Sequence, residues 1–218
     1  LWGFLNGNLN ACMQLLWPQT KVFWYEINYY ALLGAPKALS EKEFFQLIRF
    51  LLWSITIVGC MFGYGYSVFG YLWGKKIRNL DFTFMGWVTN AICYGPLLGG
   101  VMYQMMPYLT GSEPIITQGP LLSLTMLAET FLNLAYTISI WNLGSMFGVM
   151  TDKGVKTTGF YSVVRHPSYT LEALMFLMIY INGFSSYLQW ITILNITFFA
   201  YFVRSEREDQ FMSASNPE

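Results

Sequence analysis

YTLEALMFLMIYINGFSSYLQWITILNITFFAYFV, Tyr169 to Val203, is the stretch that decides the fold. Most of its residues are apolar. It is too long for one crossing, since a hydrocarbon core about 30 Å thick is spanned by about 20 helical residues. Asn182-Gly183-Phe184-Ser185-Ser186, near the middle, is its only turn-like interruption. The run therefore reads as two short helices joined by a tight hairpin. Upstream, apolar blocks with few charges lie at about 1 to 17, 50 to 74, 83 to 108 and 119 to 148. The sum is an all-α, polytopic transmembrane helix bundle of about six spans that ends in a helical hairpin.

Composition agrees with that reading. The 218 residues are 55% hydrophobic and 11% charged, with 18 Phe, 15 Tyr and 8 Trp, which is more apolar and aromatic than a water-soluble domain needs. Formal net charge is zero, so no nucleic-acid partner is expected, whereas membrane lipids are. Cys12, Cys60 and Cys93 stand singly in apolar surroundings, without CxxC spacing or a disulfide framework, and no metal site is expected. KVFWYEINYYALL at 21 to 33 carries Lys21, Glu26 and Asn28 and suits an interfacial segment better than a span. Because the chain begins at Leu1 rather than a methionine and ends soon after a charged stretch, one or both native ends are expected to lie beyond these residues.

The connections set the orientation, because short basic loops stay on the cytoplasmic side. Lys75, Lys76 and Arg78 follow the second block, Lys153, Lys156 and Arg165 follow the fourth, and Arg204 and Arg207 end the last. Alternating spans put all of them on one face, while TGSEPIITQGP at 110 to 120 and the hairpin tip carry no Lys or Arg. Lys21, Lys37, Lys42 and Arg49, between the first two blocks, depart from the pattern. A multi-pass integral membrane protein follows, with its polar end facing the cytoplasm.

Within the blocks, Gly59 and Gly63, and Gly70 and Gly74, have the small-xxx-small spacing that lets helix backbones approach in lipid. Glu129, Asn133 and Thr137 recur every four residues and share one inward face. Glu129 either lines a cavity or bonds a neighbouring helix, and Glu172 poses the same alternative.

Chemistry-bearing residues crowd the stretch LGSMFGVMTDKGVKTTGFYSVVRHPSYTLEALMF, Leu143 to Phe176, and RSERED, Arg204 to Asp209. Pro167 is expected to open a helix, since its missing N–H costs nothing in a first turn. His166 then stands at the helix entrance, and the free N–H groups beside Arg165 make an anion site suited to a carboxylate. Tyr169 and Glu172 share one face of that helix, and Tyr201, Arg204 and Glu208 share one face of the next. A hairpin gathers Arg165, His166, Tyr169, Arg204 and Glu208 under the loop from Val149 to Val164, where Gly154 and Gly159 supply turns. The plain alternative is that Arg165 and Arg204 are positive-inside anchors, Tyr161 and Tyr169 belong to an aromatic belt, and Arg204 pairs with Glu208.

At these residues the chain resembles the isoprenylcysteine carboxyl methyltransferase family and its phospholipid N-methyltransferase relatives. The resemblance rests on the ordered set LGSMFGV at 143 to 149, KTTGFY at 156 to 161, RHPSY at 165 to 169 and the acidic ending at 206 to 209. It implies an S-adenosylmethionine-dependent methyltransferase, with residues 1–142 as scaffold and substrate-access helices and 143–218 as the cofactor-binding core. Carried over, it implicates Val155, Gly159, Tyr161, His166, Pro167, Glu208 and Asp209 in cofactor binding, and Arg165, His166 and Tyr169 in catalysis. Lys153, at the position where many members place a cofactor-contacting His, is counted with that cofactor-binding set. Glu208-Asp209 stands for the family's Glu-Glu pair, with Glu206 as the alternative partner. The implied methyl acceptor is lipophilic or small: a carboxylate, an amine or a thiol. The rival readings are an NADPH-dependent membrane reductase of the sterol-reductase type and a non-enzymatic lipid-binding protein.

Overall fold

The computed structural model describes residues 41–73, 77–94, 116, 118–148, 151–183 and 187–215. The block at 1 to 17, the interfacial stretch at 21 to 33, the far part of the 83 to 108 block and the hairpin tip at 184–186 lie outside the described residues. In chain order the elements are α1 (Glu41–Phe69), a 3-10 turn (Gly70–Trp73), β1 (Asn79–Leu80), α2 (Phe84–Tyr94), α3 (Pro120–Leu143), a second 3-10 turn (Gly144–Met146), β2 (Thr151–Asp152), a third (Gly159–Ser162), α4 (Pro167–Gly183) and α5 (Tyr187–Ser215).

Two stretches, Leu47–Ser67 in α1 and Pro120–Met146 in α3 and its extension, are long and apolar enough to cross a membrane. The way α3 distributes its side chains argues for lipid as the solvent. Leu121, Leu124, Phe131, Leu134 and Ile138 are exposed, while Thr125, Glu129, Asn133, Thr137 and Ser139 are buried. A water-soluble core helix does the reverse. The buried hydroxyls are satisfied locally: Thr137 Oγ1 donates to the carbonyl of Asn133 (2.8 Å) and Ser139 Oγ to that of Tyr136 (2.7 Å).

Helix α3 packs between α1 and α4, and α5 packs on α4 and α2. Arg49 Nη1 donates to Glu129 Oε1 at 2.9 Å, Thr56 and Thr137 share a 2.7 Å bond between hydroxyls, and Trp141 Nε1 donates to the Ile55 carbonyl at 3.1 Å. Residue numbers climb together across this seam, so α1 and α3 run parallel. Glu129 thus takes the second of its two expected roles. Arg49 is a helix residue rather than a loop charge, because α1 begins at Glu41 and carries it to its carboxylate partner.

Glycine sets the closeness of the seam. A Cβ at Gly63 would lie 2.6 Å from Phe147 Cβ and 2.8 Å from its carbonyl oxygen, and one at Gly59 would lie 3.1 Å from Trp141 Nε1. Gly70, by contrast, meets only Tyr66 of its own helix, and Gly74 lies outside the described residues. Helix α2 starts at a local cap, with Thr83 Oγ1 accepting the Gly86 N–H at 3.1 Å. Pro167 opens α4 as expected, and the His166 carbonyl accepts the Thr170 N–H at 3.2 Å. The sequence held no sign of the two-residue antiparallel pair β1–β2, Asn79 opposite Asp152 and Leu80 opposite Thr151, which fastens the loop before α4 to the segment before α2.

Gly63→Ala should destabilise the protein by about 1–3 kcal/mol through this overpacking. Gly65→Ala, with nothing within 4 Å of the added methyl, should be neutral or stabilising by up to about 1 kcal/mol. Paired thermal melts in the same detergent read the contrast.

Candidate active site

The site is built at the start of α4 and the last turns of α5. Arg204, Glu208 and Asp209 meet Arg165, His166 and Tyr169 there, and the numbers run in opposite directions, so α4 and α5 are antiparallel. Arg165 Nη1 lies 3.1 Å from Asp209 Oδ2, and His166 Nε2 lies 3.0 Å from Asp209 Oδ1. His166 Nδ1 is 3.8 Å from Glu208 Oε2. Arg204 Nε donates to the Tyr169 hydroxyl at 2.6 Å and to Glu208 Oε1 at 3.2 Å, and the Tyr169 hydroxyl donates in turn to Glu208 Oε1. The His166 and Tyr169 rings stack with centroids 5.4 Å apart, and the Arg204 guanidinium carbon stands 5.1 Å from the Tyr169 centroid.

Exposure divides the cluster by task. The Arg204 side chain is 3% exposed, so it is an internal cation held by Tyr169 and Glu208. Those of Arg165, Glu208 and Asp209 are 75%, 36% and 27% exposed, so their polar atoms remain reachable. The arrangement presents two carboxylates able to accept from hydroxyl or ammonium groups, a guanidinium able to pair with a carboxylate, and a stacked aromatic face. Glu172, one turn deeper on α4 and partly buried, accepts hydrogen bonds from Tyr201 of α5 and Tyr136 of α3 and feels the Arg204 charge.

The loop residues are distributed differently. Tyr161 Oη donates to Ser168 Oγ at 3.3 Å, close enough to the cluster that burial, with the Glu208 charge adding to it, pushes the phenol up to about 12. Pro167 is buried at the helix start, while Val155 is exposed. Gly159 holds φ +65, and a Cβ there would sit 2.7 Å from Asn142 Nδ2, so only glycine fits. Lys153 is not gathered into the cluster. Its Nζ donates to three backbone carbonyls, Phe147 at 2.6 Å, Ser145 at 3.0 Å and Gly63 at 3.1 Å, and burial draws the ammonium down to about 8.

One long-range support had no signal in the sequence beyond isolated charges. Arg207 makes paired bonds to Asp81, Nε to Oδ2 and Nη2 to Oδ1, each 2.9 Å, and Nη2 also reaches Thr83 Oγ1 at 2.7 Å. Burial pushes the Asp81 carboxyl up, but the bonds from Arg207 and Thr83 outweigh it and hold the group below its ordinary value. This latch locks the residue next to Glu208 onto the start of α2. The motif Asp-x-Thr ahead of an apolar helix marks the cap in the sequence, though not its distant Arg partner.

Lys153→Met should cost about 1–3 kcal/mol, because three carbonyls lose their donor. Between pH 8 and the free-lysine range the unfolded chain binds more protons than the folded one at this group. Wild-type stability should therefore gain on the Met variant as pH rises through about 8, which melts across that window measure.

Residues 119–215, somewhat under half of the chain, match the sequence family described as phospholipid methyltransferase. No curated protein and no solved structure matches the chain. The matched stretch contains every residue of the α4–α5 cluster. A methyltransferase domain related to the phospholipid and isoprenylcysteine carboxyl methyltransferases is thus present over that part of the chain.

Proposed function

We propose that this protein is a polytopic membrane methyltransferase that uses S-adenosylmethionine, with its site at the cytoplasmic surface and a lipophilic or small acceptor reaching it from the bilayer. The observation that carries the proposal is the meeting of Arg165, His166 and Tyr169 with Glu208 and Asp209, inside the stretch that matches the methyltransferase family. The donor set fits the cofactor by its chemistry. Glu208 and Asp209, both partly exposed, suit the amino or ribose groups, and Arg165 with His166 suits a carboxylate. His166 and Tyr169 stack as an aromatic pair, Tyr161 bonds Ser168 beside buried Pro167, and Gly159, Tyr161, Pro167 and exposed Val155 are assigned with them to the cofactor.

When bound, the cofactor supplies an electrophilic methyl group on a sulfonium. Little acid–base work is then needed, and the protein's tasks are alignment and exclusion of water. Tyr169, fixed by Arg204 on one side and Glu208 on the other, cannot swing, which suits it to shaping the transfer pocket. Lys153 serves by holding the loop rather than by touching the cofactor, since its three donors are already engaged by carbonyls.

The purified chain should be stabilised by S-adenosylhomocysteine and not by NADPH in a thermal-shift comparison. Arg165→Ala and Glu208→Gln should each weaken S-adenosylhomocysteine binding at least about tenfold without lowering the melting point of the unliganded protein by more than a few degrees. Undiminished affinity in both variants would sink the assignment, and stabilisation by NADPH alone would transfer the protein to the reductases.

A further inference from the structure

One short segment, residues 78–83, grips both the loop and the helix that carry the proposed cofactor contacts, and it lies outside the stretch that matches the methyltransferase family. Its first half holds the loop. The Arg78 N–H donates to the Asp152 carbonyl at 2.8 Å, and Asn79 and Leu80 pair with Asp152 and Thr151. The Arg78 guanidinium lies against Gly154, where a Cβ would stand 3.4 Å from Cζ. Asp152 is itself fully buried and accepts the Gly154 N–H at 2.8 Å, which fixes the turn that leads directly into Val155.

Its second half holds α5. Asp81 follows Leu80 directly and is buried. Its Oδ1 accepts the Thr83 N–H at 3.1 Å, the Thr83 hydroxyl at 2.6 Å and Arg207 Nη2 at 2.9 Å, while Oδ2 accepts Arg207 Nε at 2.9 Å. A carboxylate has about four acceptor positions, so this one is filled. The paired guanidinium contact fixes angle as well as distance, which the single bond between Arg49 and Glu129 does not. Residues 207 and 208 are about 100° apart around a helix, so pinning Arg207 to Asp81 turns Glu208 toward Tyr169 and Asp209 toward Arg165 and His166. A cofactor that engages Arg165, His166, Glu208 and Asp209 competes with those bonds between α4 and α5. The Arg207 latch is a tie that this exchange leaves intact.

We propose that Asp81 and Arg207 are positioning residues for the methyl-donor site. The latch, continuous with the β1–β2 pair, sets the spacing between the loop at residues 154–161 and the carboxylates of Glu208 and Asp209, so that the two walls meet the cofactor already in place. This rests on the methyl-transfer reading above. Asp81 acts through Arg207, and Arg207 through the helix turn that carries Glu208. Walls held in register before binding need no ordering when the ligand arrives, and affinity rises by the cost avoided. The coupling is reciprocal: whatever the latch contributes to cofactor binding, the bound cofactor contributes to closure of the latch.

The test uses the full chain in phosphatidylcholine nanodiscs, with S-adenosylhomocysteine as the probe. Affinity and melting point are measured for wild type, Asp81→Asn, Arg207→Lys, the two combined, and Arg49→Met, which breaks the ion pair with Glu129 on the side of α3 away from α4. Asp81→Asn and Arg207→Lys should each weaken binding at least about fivefold, and the double variant should be within about twofold of the weaker single one, because both break the same latch. Arg49→Met should lower the melting point while its affinity stays within about twofold of wild type, which separates positioning from general loss of stability. In wild type the ligand should slow amide hydrogen exchange at residues 78–86 at least about fivefold, and in Arg207→Lys it should not. Should Asp81→Asn fail to fold, Arg207→Lys, which keeps the charge and removes only the paired geometry, decides. Wild-type affinity in the folded latch variants, an equal loss in Arg49→Met, or exchange that the ligand leaves unchanged overturns the proposal. Absence of S-adenosylhomocysteine binding in wild type overturns the methyl-transfer reading itself and, with it, this inference.

Discussion

The site depends on one buried cation. Arg204 cannot discard its charge, because a guanidinium is never deprotonated in a protein, and its side chain is almost wholly enclosed. It therefore requires partners at fixed distance, which Tyr169 and Glu208 supply. Those two bonds fix the register of α5 on α4, and the remaining contacts follow from that register. Glu208 comes beside His166, Asp209 beside both His166 and Arg165, and Tyr201 beside Glu172. Slipping α5 by one residue would turn its polar face by about 100° and leave the guanidinium in apolar surroundings at a cost of several kcal/mol.

Periodicity made this half of the site legible in the sequence. Tyr201, Arg204 and Glu208 recur at the spacing of one helix face, and Pro167 marks where the opposing helix starts, so the encounter across α4 and α5 was foreseeable. Asp209 belonged to the expected acidic pair, yet its bridge between Arg165 and His166 could not be read from spacing, because it leaves the α5 face that the other residues share.

What was not legible is carried by single charges that meet over long separations. Arg49 and Glu129 are 80 residues apart, and Arg207 and Asp81 are 126 apart. No local pattern encodes either pair. Lys153 is the instructive case. A lysine carries three donors and no acceptor, and here it finds three carbonyls where the second 3-10 turn and the residue after it converge on α1.

These long-range ties bear on where the methyltransferase stretch gets its rigidity. The side chains of the site all lie within residues 119–215, yet both of its walls are anchored to chain outside that segment. The loop wall is tied by Lys153 to Gly63 and by β2 to β1, and the helix wall by Arg207 to Asp81 and Thr83. Gly86 matters for the second anchor because a Cβ there would lie 2.5 Å from the Asp81 carboxyl carbon and force the latch open. The face of α3 turned to α1 is likewise satisfied from outside, with Glu129 on Arg49 and Thr137 on Thr56. A segment that, when cut free, leaves a buried carboxylate and a strand without partners and a lysine short of one of its three carbonyls is not a self-sufficient folding unit. The earlier helices are therefore structural supports of the candidate site, although they contribute none of the side chains in its α4–α5 cluster.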